Sequence, residues 1–388
     1  MNAISPVFAQ VMSVIHREQF RRCVLRHGYV ERTLRLSCRE QFLAMAFAQL
    51  TYRESLRDLA SCLNARAQLL PRLGFRNPIA RSTLADANEG RDFRMYADLA
   101  RTLIPKARRL YANEPLDLQL SNTVYALDST VVTVSLGLFP WARFRHGDGG
   151  LKIHTQMDLR GSIPTFVYVT EQRTHDVNFL DQISPEPEAI YVMDRAYVGL
   201  ERLRRLHHAG SYFVVRCRDE FRFRRSVSLA RADSRILSDQ LGHPINPAPR
   251  SHYPTRLRRV RFHDLETDTE LTLLTNLVEA AALDITTLYR YRWQIELFFR
   301  WIKQNLRIRR FYGNSINAVQ SQIWIAISVY LAVVILHRQL QVHHTLHRTL
   351  QLLSVTPFEQ IPLSELLTKP TPHLDFTNDT NQLILQGI

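Results

Sequence analysis

The run TVYALDSTVVTVSL, residues 123–136, is the first part of this chain that cannot be read as helix. Valine and threonine dominate it, and β-branched side chains lose rotamer freedom in a helix but pack well on a pleated surface. One acid, Asp128, sits inside the apolar portion, where a buried carboxylate is costly unless it has a role or a cationic partner. LKIHTQMDL (151–159) and PTFVYVTEQ (164–172) follow, each bounded by Gly, Pro or polar residues, and predict two further strands on short connections. A polar, helix-compatible segment, HDVNFLDQI, leads to a short buried strand, AIYVMD, then a helix, LERLRRLHHA, and a strand, SYFVVRC. Three strands, helix, strand, helix, strand is an α/β order with a mixed sheet. Asp194 ends AIYVMD where a loop begins, the edge of an α/β sheet at which ligands collect. The plainer reading of either aspartate is a turn or capping residue.

Upstream, apolar residues recur at helical spacing from Val7 to about Tyr111, as in EQFLAMAFAQLTYRESLRDLASCL, and predict a small helical region. Within it RSTLADANEGRDFRMYADLARTLI predicts a polar helix capped by Ser82, after a turn marked by Gly74, Asn77 and Pro78. Such a helix suits a DNA groove or the surface of a bundle equally. Downstream, EFRFRRSVSL and the pair RLRRVRFHDL and TELTLLTNL, joined across Glu266, Thr267 and Asp268, predict an Arg-rich β insertion. From Asp284 the chain returns to helix, with Asp284 or Thr286 as the cap. The expected organisation is 1–115 helical and DNA-binding, 116–217 the first part of an α/β core, 218–280 the β-rich insertion, 281–366 the helical remainder of the core, and 367–388 a flexible tail.

Composition bounds the partners. Lys and Arg number 50 against 36 Asp and Glu, a formal charge of +14 that attracts a polyanion, with nucleic acid first and a membrane surface second. The apolar run IWIAISVYLAVVIL, residues 323–336, falls short of the roughly 20 residues a span requires and reads as a core helix. Cys23, Cys38, Cys62 and Cys217 lack C-x-x-C spacing and read as buried thiols. The N-terminus has no basic segment followed by an unbroken apolar run, so a secretory signal is not expected.

One helix carries unusual chemistry. In YRYRWQIELFFRWIKQNLRIRR, residues 289–310, each residue turns about 100°, so Tyr289, Arg292, Glu296, Arg300, Lys303, Arg307 and Arg310 fall within an arc of roughly 80°. Ile295, Leu297, Phe298, Phe299, Trp301 and Ile302 fill the rest, so the basic stripe is expected to be the accessible strip. A lone carboxylate among cations hinders anion binding unless a metal bridges it to phosphate, and Mg²⁺ takes hard oxygen ligands of this kind. Such chemistry needs further carboxylates, and Asp128 and Asp194 are the strand acids that offer them. Lys152 and His154, alternate residues on the second strand, point to one face and are placed either beside Asp128 or as satisfied structural residues. His337, His343, His344 and His347 lack the Cys or acid partners of a metal site.

These residues resemble the DDE transposases. Tyr289-x2-Arg292-x3-Glu296-x6-Lys303 matches the Y-R-E-K signature of the insertion-sequence family named after the fourth bacterial insertion sequence, and AFAQLTYRESLRDL, RSTLADAN, VYALDST, FPWARFR, YVMDRAY and WQIELFFRWIKQNLRI resemble stretches of one subgroup. The resemblance implies a ribonuclease-H-like core with a β-rich insertion and a helical N-terminal DNA-binding region. Asp128, Asp194 and Glu296 are its catalytic, metal-holding acids, with two Mg²⁺ ions or Mn²⁺ as substitute. Tyr289, Arg292 and Lys303 are its contacts to DNA phosphates and the strand end, joined by Arg300 and Arg307 on the same stripe, and Trp293 is placed to stack on a displaced base. It further implies element ends and target DNA as partners, a homodimer in the DNA complex, and a cytoplasmic, nucleoid-associated protein. An inactive DNA-binding repressor and a nuclease of the same core fold are the alternatives, and three intact acids favour the enzyme. Relatives that excise through a hairpin hold a flipped base with an insertion-domain Trp. None lies here between Trp141 and Trp293, which leaves either Tyr253 or Phe262 to substitute or a different route of excision.

Overall fold

The computed structural model describes residues 4–30, 35–114, 116, 120–134, 149–217, 221–231, 233–245, 253–305 and 311–368. Among the described residues seven α-helices precede the first strand: α1 (Val7–Met12), α2 (Arg17–Arg26), α3 (Cys38–Leu50), α4 (Leu56–Asn64), α5 (Leu70–Leu73), α6 (Arg81–Gly90) and α7 (Arg94–Tyr111). Helix α3 begins in a capping box, in which the Ser37 hydroxyl accepts from the Glu40 N–H and the Glu40 carboxylate accepts from the Ser37 N–H. This satisfies two of the amides that a helix start leaves unpaired. Ser82 is not a cap: α6 starts one residue earlier, after Ala80, with no side-chain cap.

Among the described residues nine strands form one mixed sheet: β1 (Val124–Val134), β2 (Gly149–Asp158), β3 (Ile163–Glu171), β4 (Ile190–Met193), β5 (Tyr212–Arg216), β6 (Phe223–Ser228), β7 (Ile236–Pro244), β8 (Leu257–Asp264) and β9 (Thr269–Thr275). Their order is β3-β2-β1-β4-β5-β9-β8-β7-β6, with β1, β4 and β5 parallel to one another and the other pairings antiparallel. The insertion strands are continuous with the core sheet, because β9 pairs with β5. Helix α8 (Leu200–His208) connects β4 to β5, and HDVNFLDQI forms a 3₁₀ turn over Asp176–Asp181.

The chain closes with α9 (Ala282–Tyr291), α10 (Trp293–Asn305), α11 (Ile316–Gln339), α12 (Leu346–Val355) and α13 (Leu363–Thr368). Helix α9 starts before Asp284, after Ala281, so neither Asp284 nor Thr286 caps it. Helix α11 is apolar all round and is long and apolar enough to cross a membrane, yet it is buried, as a central core helix should be. It packs on α7 and α3, and the Tyr111 and Tyr330 hydroxyls tie it in, to its own Val334 carbonyl and to the Ser162 carbonyl of the β2–β3 turn. One core therefore joins the N-terminal helices, α11 and one sheet face, while a second, with Tyr125, Leu127, Phe179 and Tyr191, covers the other face. The four cysteines are free thiols, three of them buried. The expected tail from 369 onward lies outside the described residues.

Candidate active site

Strands β1 and β4 run parallel in register from Val124 beside Ile190 to Leu127 beside Met193. The next residues are Asp128, in the middle of β1, and Asp194, just past the end of β4, so the two acids stand side by side on adjacent strands. Alternation fixes their direction: Val124 and Ala126 enter the helical core, Tyr125 and Leu127 the opposite core, so Asp128 faces the helical side. Helices α9 and α10 lie on that side and meet at Arg292, which ends the first and precedes the second.

The Arg292 guanidinium stands between two acids: Nη1 donates to Asp128 Oδ2 at 2.8 Å and Nη2 to Glu296 Oε1 at 2.6 Å. The Tyr289 hydroxyl donates to Asp194 Oδ1 at 3.3 Å, and the Ser129 N–H to Asp128 Oδ1 at 2.8 Å. Burial pushes the Asp128 carboxyl up to about 6 against the pull of Arg292 and the Ser129 N–H, and the charges of Glu296 and Asp194 push it the same way as burial. Those last two contributions place Glu296 and Asp194 within electrostatic reach of Asp128. Burial likewise holds the Tyr197 hydroxyl well above its usual range, helped by Asp128, Asp176 and Asp194. That hydroxyl has no hydrogen-bond partner among the described residues.

The stripe on the helix is divided. Tyr289 is 6% exposed and the Arg292 side chain 15%, so its beginning turns in toward the sheet, contrary to the expectation of an accessible strip. Arg300 and Lys303 are exposed, and so is Trp293 at 52%. Arg307 and Arg310 lie outside the described residues. Lys152 and His154 do not line the site beside Asp128. His154 pairs across from Ser129, on the opposite sheet face, where Lys152 Nζ lies 3.2 Å from Asp176 and Ser129 Oγ donates to Asp176 at 2.6 Å. Burial pushes His154 down to about 4, so it is neutral at pH 7. Tyr253 and Phe262 are both buried, so neither presents its ring to solvent. His337 Nε2 bonds the His344 carbonyl at 2.7 Å, a structural use.

Tyr197 escaped the reading of the sequence, and so did the pairing of Asp176 with Lys152. The available signal was Lys152 itself, a cation on one face of a strand, which calls for an acid opposite it.

A donor set of three carboxylates suits a hard dication, and a guanidinium already bridges two of them, which shows that the pocket accepts positive charge. With Arg292 so placed, no group of three or more His, Cys, Asp or Glu among the described residues is gathered as a ready-made metal cage.

Paired aspartates on neighbouring parallel strands, a glutamate delivered by a helix across them and a mixed sheet with helices on its faces define a ribonuclease-H-like α/β core. The Transposase DDE domain profile matches residues 119–332, more than half of the chain, and the chain belongs to that family. A domain of unknown function, DUF4372, matches residues 4–76. The chain is 31% identical over 214 residues to a protein of Geobacillus stearothermophilus named as a transposase for insertion sequence element IS5377, a match covering 55% of this chain and 56% of that protein. It is 31% identical over 251 residues to a protein of Sinorhizobium fredii named as transposase y4zB, covering 64% of this chain and 68% of that one. A Synechocystis protein named as a transposase for element IS4SA is 25% identical over 260 residues, covering 64% and 70%. Among solved structures, a piggyBac transposase synaptic complex with hairpin DNA aligns with TM-score 0.46 and 10% identity over 94% of this chain and 79% of that one. Divalent metal use goes with the family.

Proposed function

We propose that this chain is the transposase of an insertion sequence, which binds the element's terminal inverted repeats, cleaves at the ends and transfers the 3′ ends to target DNA. The observation that carries the reading is the bridging of Asp128 and Glu296 by one guanidinium, with Asp194 on the strand beside Asp128 and held by Tyr289, on a chain of the DDE family. Asp128, Asp194 and Glu296 would hold two Mg²⁺ ions, with Mn²⁺ as substitute. When bound, such ions activate the attacking oxygen and stabilise the leaving oxygen of an in-line phosphoryl transfer.

The chain's own residues supply the rest. Arg292 bridges Asp128 and Glu296 and turns its donors to a phosphate oxygen when the strand end arrives. Tyr289 orients Asp194 through its hydroxyl. Arg300 and Lys303, exposed farther along α10, contact the DNA backbone, with Arg307 continuing the track. The exposed Trp293 ring offers a base a stacking surface. The protein acts as a homodimer holding two ends, in the cytoplasm at the nucleoid.

The test incubates purified protein with labelled element ends, target plasmid and Mg²⁺, for the natural chain and for Glu296→Gln. Joined products are expected from the first and not from the second. Their absence from the first, or their persistence in the second, refutes the assignment.

A further inference from the structure

At one edge of the sheet lies β6, whose arginines meet no carboxylate among the described residues. In β6 every residue after Phe223 is exposed, and among the described residues nothing pairs with its outer side. Arg222, Arg224, Arg225 and Arg231 are all exposed along or beside it. None of the four has a carboxylate partner among the described residues: Arg225 reaches only the Ser228 hydroxyl at 3.4 Å and Arg231 only the Leu237 carbonyl at 3.5 Å. Among the described residues, Asp233 is engaged with Arg235, Asp239 with Arg258 and Glu270 with Arg261.

We propose that the outer edge of β6 is a docking surface for the phosphate backbone of duplex DNA. Arg222 to Arg225 span about 10 Å of extended chain, over which one DNA strand presents about three phosphates. The other partner an open edge invites, a second copy of the same strand, is disfavoured. Self-pairing would stack like charges opposite one another, and the bulge between Arg225 and Val227 breaks the regular ladder. Six strand spacings separate β1 from β6, on the order of 29 Å at about 4.8 Å each. A duplex whose cut end lies at Asp128 and runs along the sheet meets this edge about eight base pairs away, at 3.4 Å per pair. No base-reading geometry is involved, so the contact is independent of sequence. The inference rests on the proposed binding of DNA ends at the carboxylates.

The experiment measures affinity against salt for the natural chain and for the combined variant Arg222→Gln, Arg224→Gln, Arg225→Gln, Arg231→Gln, by fluorescence anisotropy in Ca²⁺. The probes are a duplex carrying the element's terminal repeat, an unrelated duplex, and the terminal duplex with neutral methylphosphonate linkages about eight base pairs from the cut. These side chains are exposed, and an unchanged melting temperature verifies the variant's fold. The expected result is a log–log salt slope shallower by about three for both plain duplexes, since each lost phosphate contact removes about 0.9. The methylphosphonate duplex should lose affinity for the natural chain and little more for the variant, which places the contact on the element side of the cut. Equal behaviour of the modified and plain terminal duplexes overturns that placement. An unchanged slope overturns the proposal, and the appearance of dimers in the variant alone would then assign the arginines to edge protection. Failure of end joining with the slope change intact would remove the transposase reading and leave the DNA surface standing.

Discussion

Replacing Arg292 by alanine separates the two roles assigned to it. In the natural chain the guanidinium satisfies Asp128 and Glu296 at 2.8 and 2.6 Å, with the three side chains 15%, 20% and 32% exposed. Removing one partner of a fully buried pair costs about 3–5 kcal/mol, and the partial exposure here lowers that to about 2–3 kcal/mol. For a chain of this length the melting temperature should fall on the order of 5 °C at pH 8 without metal. The pH dependence has a definite sign. Burial raises Asp128 to about 6 from an ordinary 3.8, against the opposing pull of Arg292, so the folded protein binds this proton more tightly than the unfolded chain. Stability therefore falls as pH rises through the folded value, and loss of Arg292 raises that value further. The deficit of Arg292→Ala should shrink between pH 8 and pH 5, as Asp128 is neutralised. Mn²⁺ should also stabilise the variant more than the natural chain, because no guanidinium competes for the same oxygens. Differential scanning fluorimetry with and without Mn²⁺, at both pH values, measures all three effects. A variant melting within a degree of the natural chain at pH 8, or equal increments from Mn²⁺, refutes the view that Arg292 is a cation standing among the acids.

Two further changes test the scaffold. Burial pushes Glu40 up, but the donors of Arg76 and Ser37 outweigh it and hold the carboxyl at about 2, below its ordinary 4.5. Glu40→Gln should therefore cost about 2–3 kcal/mol at pH 7, a gap that closes as pH falls from 4.5 to about 2, and urea unfolding across that range checks it. Asp176→Asn keeps an acceptor for the Ser129 hydroxyl but leaves the largely buried Lys152 ammonium without its anion, at a cost of about 2–3 kcal/mol. In a double-mutant cycle with Lys152→Met, measured by thermal unfolding, the second change should recover part of the loss, and additive effects would show that the pair is not coupled.

The parts of the fold that were legible are those in which a single element carries its own signal. The alternating apolar runs of β1 to β5 and the uniformly apolar α11 each declare a burial pattern that no other placement satisfies. Strand β7 did not stand out, because ILSDQLGHP mixes Asp, Gln, Gly and His with its apolar residues. Its buried Asp239 is tolerated only because Arg258 of the neighbouring strand meets it at 2.7 Å, a partner the local pattern cannot reveal. The helix starts after Ala80 and Ala281 were misplaced for a related reason: neither uses a side-chain cap, so the strongest local marker was missing.

The site shows the same division. Residue types and spacing along α9 and α10 singled out Tyr289, Arg292, Glu296 and Lys303, while Asp128 was singled out as an acid inside an apolar strand and Asp194 as an acid at a strand end. Their convergence depends on β4 lying beside β1 although two strands intervene in the chain, and strand order is not written in any one segment. Helical geometry also placed Arg292 on an outward stripe, treating the helix as if it were alone. Against the sheet the same angle points inward, because the aspartates, not solvent, are the nearest compensation for its charge. A cation held between two acids by attraction that a phosphate or a divalent ion can replace is a contact made to be exchanged. This is the feature that the periodicity of the sequence could indicate only as a carboxylate seven residues before a lysine.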